Sequence, residues 1–217
     1  MSLAAANGQS VACVTATKGE AGVQDESRWP AARLSDIRSQ EMAKGLEILG
    51  ISNHQWLGYP DGACMEVSED EAVARIIDII EQYQTDSIIT FAPDGLTGHP
   101  DHRAVSRWAR KAAEKSDLRP VVYYGVHTTE AYEAHLKSAD EQFNIYFAID
   151  EPTLIPAKEC SIHVDLPTEV IDKKIQVFKA MPSQYAAWTD GLNPEQLKGL
   201  LASESLVKAD DSRWADL

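Results

Sequence analysis

The stretch from Ser87 to Lys115 constrains the chain most, because a strand, a loop and a helix are written into it without a gap. Ser87 to Ala92 (SIITFA) is a short apolar run rich in β-branched residues and predicts a buried strand. Pro93, Asp94, Gly95 and Gly98 break that run into a loop. Pro100 then stands where a first helical turn tolerates it, and a helix is predicted over 103–115. His99, Asp101 and His102 are thereby set at a strand–loop–helix junction. In open α/β sheets, ligands bind at that edge, beyond the carboxyl ends of the strands. The two histidines are three positions apart and can look toward one point.

The rest of the chain repeats the same alternation. Residues 1–7 predict the end of a helix stopped by Gly8, and residues 10–16 (SVACVTA) a buried strand. Thr17 to Gly22 is a glycine turn that sets Glu20 at a strand end. Ser35 can cap a helix running to Leu49 and stopped by Gly50, with Met42, Leu46 and Leu49 as its apolar stripe. Gln55 to Tyr59 predicts a short strand, and Pro60-Asp61-Gly62 a turn after it. Ser68-Glu69-Asp70-Glu71 has the capping-box pattern of a helix whose Val73, Ile76, Ile77, Ile80 and Tyr83 share a face. Further strands are predicted at 120–126, 144–149 and 161–166, and helices at 168–181 and, weakly, at 194–202. Strands alternating with helices, with no repeat and no linker, predict one α/β domain with a largely parallel sheet. Its expected extent is 1–190, with 191–217 a polar tail carrying a short helix.

The 217 residues suffice for a proper core, and the formal charge of −14 argues against nucleic acid and against an anionic membrane surface. No apolar run reaches membrane-span length, and no leader pattern precedes the first strand. Cys13, Cys64 and Cys160 are odd in number and scattered, with no C-x-x-C pair. Cys13 reads as a small core residue, and the compartment as reducing and cytoplasmic. A homo-oligomer is compatible with the sequence. No G-x-G-x-x-G, Walker A or G-x-S-x-G pattern is present.

The H-x-D-H cluster carries two readings. In one, an imidazole ligates a metal with an open position for water, and the other acts as a general acid or polarises a carbonyl. Asp101 then orients an imidazole and raises its basicity. In the other, these are polar residues at a helix N-terminus, with Asp101 satisfying orphan amides. His127, at a strand end, and Asp94, in the loop, are further candidates for a metal arrangement. His163 reads as a satisfied polar residue of a strand, and His54 and His135 as exposed or structural. Glu20 and Asp61, on turns after strands, could hydrogen-bond sugar hydroxyls. Arg38 could meet an anionic or hydroxylated group, with a surface ion pair to Glu41 as the bland alternative.

Taken in order, Thr17-x-Gly19-Glu20-x-Gly22, Arg38-x-x-Glu41, Leu49-Gly50-Ile51, Gly58-Tyr59-Pro60-Asp61-Gly62 and Gly98-His99-Pro100-Asp101-His102 resemble the LmbE/PIG-L family of zinc-dependent deacetylases. The resemblance covers about residues 1–185, and Lys174 to Gln184 resembles the family's lysine-to-Ser-Gln segment, with Met181 where many members have histidine. It implies a Rossmann-like three-layer fold with a mostly parallel sheet. It also implies hydrolysis of an N-acyl group, usually acetyl, from an amino sugar or its conjugate, with zinc as cofactor. By position, His102 would be a zinc ligand, His99 the electrophilic or acid histidine and Asp101 its carboxylate tuner. Glu20, Arg38 and Asp61 would line the substrate pocket.

The family's Ala-His-Pro-Asp-Asp-Glu-like loop, which follows its first strand and completes the zinc site, has no counterpart in the 217 residues. The resemblance therefore implies a chain that starts after that strand and loop, with the family's other half-site upstream of Met1. The alternative from another class is a non-catalytic relative that binds carbohydrate or a protein partner.

Overall fold

The computed structural model describes residues 1–214. In chain order its elements are α1 (Ser2–Ala6), β1 (Ala12–Thr15), α2 (Ala31–Leu49), β2 (Asn53–Trp56), a 3-10 turn (Cys64–Glu66), α3 (Glu69–Tyr83) and β3 (Ser87–Phe91). There follow α4 (Gly95–Gly98), α5 (Pro100–Lys115), β4 (Val121–Gly125), β5 (His127–Thr128), α6 (Thr129–Ala131) and, after a π-helical turn, α7 (Lys137–Phe143). The chain continues through β6 (Leu154–Ile155), β7 (Ile162–Asp165), α8 (Thr168–Ala180), α9 (Pro182–Gly191), α10 (Pro194–Leu200) and β8 (Ser203–Lys208). They form two compact units, one of residues 1–62 and 166–202, the other of residues 63–165 and 203 onward.

In the first unit β1 and β2 pair in parallel, Ala12 opposite Asn53 and Thr15 opposite Trp56. Helix α2 begins four residues before the Ser35 that was expected to cap it, because the Glu26 carboxylate accepts the Ala31 amide at 3.0 Å and does the capping from outside. Ser35 is therefore interior to the helix. Its C-terminus follows the expectation: Gly50 adopts φ 76° and closes a left-handed cap. Helix α8 packs on α2 at Gly45, where a Cβ would already sit 3.2 Å from Met181 Sδ and 3.3 Å from Val177 Cγ1. Leu34, Leu46, Ala186 and Leu197 are buried on this unit's helices, and Met181 and Leu201 are buried just past the ends of α8 and α10. Cys13, expected in a core, is only half-buried on β1.

In the second unit the sheet order is β3-β4-β8-β7. The β3–β4 pair is parallel, with Ile89 opposite Tyr123, but β8 runs antiparallel to both β4 and β7. The largely parallel sheet of the sequence reading is thus corrected to small mixed sheets, with β5–β6 a separate parallel pair. The physical reason lies in β8, whose backbone pairs antiparallel with both neighbours, Leu206 opposite Gly125 on β4 and Ser203 opposite Asp165 on β7. Residues 191–214 supply the expected helix and also this strand, whose Val207 is wholly buried. β3 pairs with β4 alone among the described residues, so Ile89 is 62% exposed where a strand buried on both faces was expected.

Tyr124, Val122, Val207, Ala113 and Trp214 form the core on the covered face, with the Tyr124 and Trp214 rings edge to face at 5.6 Å. Helix α3 packs on α5, burying Val73, Ile76 and Ile80 on one side and Ala104, Trp108 and Ala112 on the other. Its cap is the expected one, since Ser68 Oγ accepts the Glu71 amide. The predicted strand 144–149 is instead an irregular loop: the Tyr146 amide donates to Asp140 Oδ1 at 3.0 Å rather than to a neighbouring strand.

Candidate active site

In the second unit, the chain leaves β3 at Phe91 and must turn back within eight residues to start α5. Asp94 Oδ1 accepts the Leu96 amide at 2.9 Å, closing a tight turn. Gly98 adopts φ 80°, and a Cβ built on it would lie 2.5 Å from the Ala148 carbonyl oxygen. Both demands, a left-handed backbone and the absence of a side chain, are met by glycine alone. Gly98→Ala is expected to destabilise the second unit by about 1–3 kcal/mol, since the obstacle is backbone that cannot swing away. Urea unfolding followed by Trp fluorescence measures it, and an unchanged midpoint would contradict the contact.

The two histidines leave this loop in opposite tautomers. His99 is the N-cap of α5, and its Nδ1 accepts the Asp101 amide at 3.2 Å. In the neutral ring Nδ1 therefore carries the lone pair and Nε2 the proton. His102 Nδ1 lies 3.0 Å from the Gly95 carbonyl, which can only accept, so its proton is on Nδ1 and its lone pair on Nε2. Phe91 holds the His102 ring from one side, stacked at 3.9 Å and 3° from parallel. The two imidazole centroids are 4.9 Å apart. One ring presents a donor and its neighbour an acceptor: the pairing that polarises a carbonyl with one and ligates a cation with the other.

Asp101 is buried, and its Oδ1 accepts the Cys64 amide at 3.0 Å, tying the start of α5 to the 3-10 turn. Its link to His99 runs through its own backbone amide. His127, expected at a strand end, opens β5 and pairs through Nδ1 with Tyr146 Oη at 2.5 Å. Burial pushes the His127 pKa down against the pull of Asp94 and Glu204, and burial, with Asp140, Tyr132 and Asp94 near, pushes the Tyr146 phenol up. Both shifts favour the neutral forms of the imidazole and the phenol. His163 bonds its cross-strand neighbour Ser205 at 2.8 Å, the satisfied polar residue expected.

The other three candidates meet in the first unit. Asp61 accepts Thr17 Oγ1 at 3.1 Å and the Ala21 amide at 3.0 Å, and its own amide donates to Glu20 Oε1 at 3.1 Å. The turns after β1 and β2 are therefore locked together, and Glu20 Oε2 is left buried without a hydrogen-bond partner among the described residues. Arg38 is buried, and so is Glu41, which replaces the surface ion pair by an internal clamp. The guanidinium donates to the Gly19 carbonyl through Nη1, to Gly22 O at 2.7 Å and Ser183 O through Nη2, and to Ser183 Oγ through Nε. Glu41 accepts the same serine's amide at 2.9 Å and hydroxyl at 2.5 Å. Burial lowers the Arg38 pKa, opposed by Asp61, Glu41, Tyr185 and Glu20. Arg38 thus shapes the 19–22 turn that carries Glu20. Sequence reasoning missed Ser183, Phe91 and Tyr146; only Ser183 had a signal, lying in the Ser-Gln segment.

A catalytic zinc takes about three protein donors and keeps one position open. His102 offers the right tautomer, but no group of three or more His, Cys, Asp or Glu among the described residues could hold a metal ion. The described donors do not make up a whole zinc site. No helix among the described residues is long and apolar enough to cross a membrane.

The α/β fold is one that known enzymes share. N,N'-diacetylchitobiose deacetylase from Pyrococcus horikoshii superposes with a TM-score of 0.65 at 20% identity, covering 95% of this chain and 75% of that one. GalB, the 4-carboxy-2-hydroxymuconate hydratase from Pseudomonas putida KT2440, does so with a TM-score of 0.62 at 18% identity, over 96% and 87%. Two reactions on one fold leave the activity to be argued from the site. The chain belongs to the PIG-L family: the family model described as "PIG-L: GlcNAc-PI de-N-acetylase" matches residues 1–113. Among sequence relatives, the 1D-myo-inositol 2-acetamido-2-deoxy-alpha-D-glucopyranoside deacetylase 1 of Catenulispora acidiphila is 32% identical over 136 residues. That match takes in 52% of this chain and 42% of the relative, so it spans less than half of the relative's length.

Proposed function

We propose that the protein hydrolyses the N-acetyl group of an N-acetylglucosamine conjugate. The observation that carries the reading is the pair of opposed tautomers, His99 with its proton on Nε2 beside His102 with its lone pair there. His99 would donate an Nε2–H hydrogen bond to the amide carbonyl oxygen as charge develops on it. Asp101 would hold His99 by fixing the first turn of α5 to Cys64. Glu20 Oε2, buried and unpartnered, would accept from a sugar hydroxyl, because a lone carboxylate oxygen out of water is costly until a donor reaches it. Arg38 and Asp61 would keep the Glu20 turn in shape. Zinc enters from the family, with His102 as the donor this chain offers, and would supply an activated water when bound.

Acetate release from N-acetylglucosaminyl-inositol and from N,N'-diacetylchitobiose tests the reading, with and without added zinc. Turnover that depends on added zinc is expected, with well under one equivalent of zinc retained after dialysis, since a site short of three donors holds the ion weakly. No acetate from either substrate at saturating zinc would overturn the deacetylase reading. A full equivalent that survives dialysis would mean that ligands other than the described donors complete the site.

A further inference from the structure

Phe147 is 57% exposed, one of the most exposed large apolar side chains of the protein, and it stands edge-on to His99 with ring centroids 5.8 Å apart. A single exposed apolar residue needs no explanation in general. This one is held in place from both sides. The preceding residue, Tyr146, is 5% exposed and pinned through its hydroxyl to His127 and through its amide to Asp140. The following residues, Ala148 and Ile149, lie so close to Gly98 that a Cβ there would meet the Ala148 backbone at 2.5 Å and Ile149 Cγ2 at 2.6 Å. The loop 144–149 is thus fastened on one side to β5 through His127 and pressed on the other against the residue before His99. Fixing Tyr146 inward and Ala148 against Gly98 leaves Phe147 to point out beside the imidazole.

We propose that Phe147 is a substrate-contacting, specificity-determining residue that packs against an apolar C–H surface carried next to the acylated nitrogen. The proposal rests on the deacetylase reading and adds to it the class of group that is recognised. An aromatic ring keeps its face in water at a cost that a C–H surface removes, and its rigid backbone makes the contact cheap in entropy. Such a surface has two sources, the apolar face of the sugar ring or an apolar aglycone. The Tyr146–His127 pair positions the residue without touching substrate.

Titration calorimetry of the full chain with N-acetylglucosamine and with octyl N-acetyl-β-glucosaminide tests this. Phe147→Ala is expected to weaken binding roughly tenfold, the worth of one buried apolar ring, while Phe147→Tyr keeps it. A loss for both probes assigns the contact to the sugar ring, and a loss for the octyl glycoside alone assigns it to the aglycone. Tyr146→Phe should weaken binding several-fold and His127→Asn, which restores an acceptor near Nδ1, should not; circular dichroism confirms that each variant is folded. Unchanged affinity of Phe147→Ala for both probes overturns the proposal and leaves the deacetylase reading standing. A wild-type chain that binds neither probe overturns that reading, and this proposal with it.

Discussion

His99→Ala is expected to lower acetate release by about 10²–10³-fold, the usual worth of one hydrogen-bond donor to a developing oxyanion, with a much smaller change in KM. The same substitution removes the N-cap of α5, because His99 Nδ1 accepts the Asp101 amide, and should cost about 0.5–2 kcal/mol of stability. The two losses can be separated. His99→Asn places a side-chain oxygen where Nδ1 was, so the cap and the stability return. Its amide is too short to bring an N–H to the position of Nε2, so the rate stays low. A His99→Asn variant that recovers both would show that His99 is a cap and no more, and the catalytic assignment would fall.

The largest effect on stability is expected from Arg38→Ala. The guanidinium satisfies the carbonyls of Gly19, Gly22 and Ser183, and it offsets the buried Glu41 carboxylate across that serine. Removing it strands three carbonyls, the Ser183 hydroxyl oxygen and one charge, at about 3–5 kcal/mol, a large share of the roughly 5–15 kcal/mol that holds a domain together. Ser183→Ala, which removes only the shared hydroxyl, should cost about 1–3 kcal/mol. Denaturant midpoints of the single variants and of Arg38→Met/Glu41→Leu measure the coupling. If Arg38→Ala is no worse than Ser183→Ala, the guanidinium is not the centre of the clamp. A second consequence is readable in the same variants: with the 19–22 turn released, Glu20 loses its fixed place, so sugar binding should weaken in Arg38→Ala before the fold is lost.

The strand–loop–helix at 87–115 was legible because each of its parts is decided locally. β-branched residues favour the pleat, glycines supply φ values near 80° at Gly95 and Gly98, and Pro100 starts the helix without losing a bond. The same holds for the Gly50 and Ser68 caps. Ser35 failed as a cap because Glu26, five residues before the helix, outcompetes it from a turn whose shape no local pattern announces. The strand expected at 144–149 failed because Asp140, on the preceding helix, takes the Tyr146 amide that a neighbouring strand would have needed. β8 escaped notice because Glu204, Ser205 and Lys208 dilute its apolar pattern, and its place is set by β4 and β7, distant in sequence.

By itself, then, the sequence determined the α/β alternation, the family, and the three residues His99, Asp101 and His102 at one strand end, since short-range sterics and capping are enough for each. Only the tertiary structure decided their chemistry. Which imidazole nitrogen carries the proton depends on whether Gly95 or Asp101 faces it. Arg38 became a clamp because Ser183, 145 positions away, sits beside it, and one Glu20 oxygen accepts the Asp61 amide while the other has no hydrogen-bond partner among the described residues. Hydrogen-bond partners of buried groups are set by what the packed chain brings within about 3 Å, and no spacing along the chain encodes that distance.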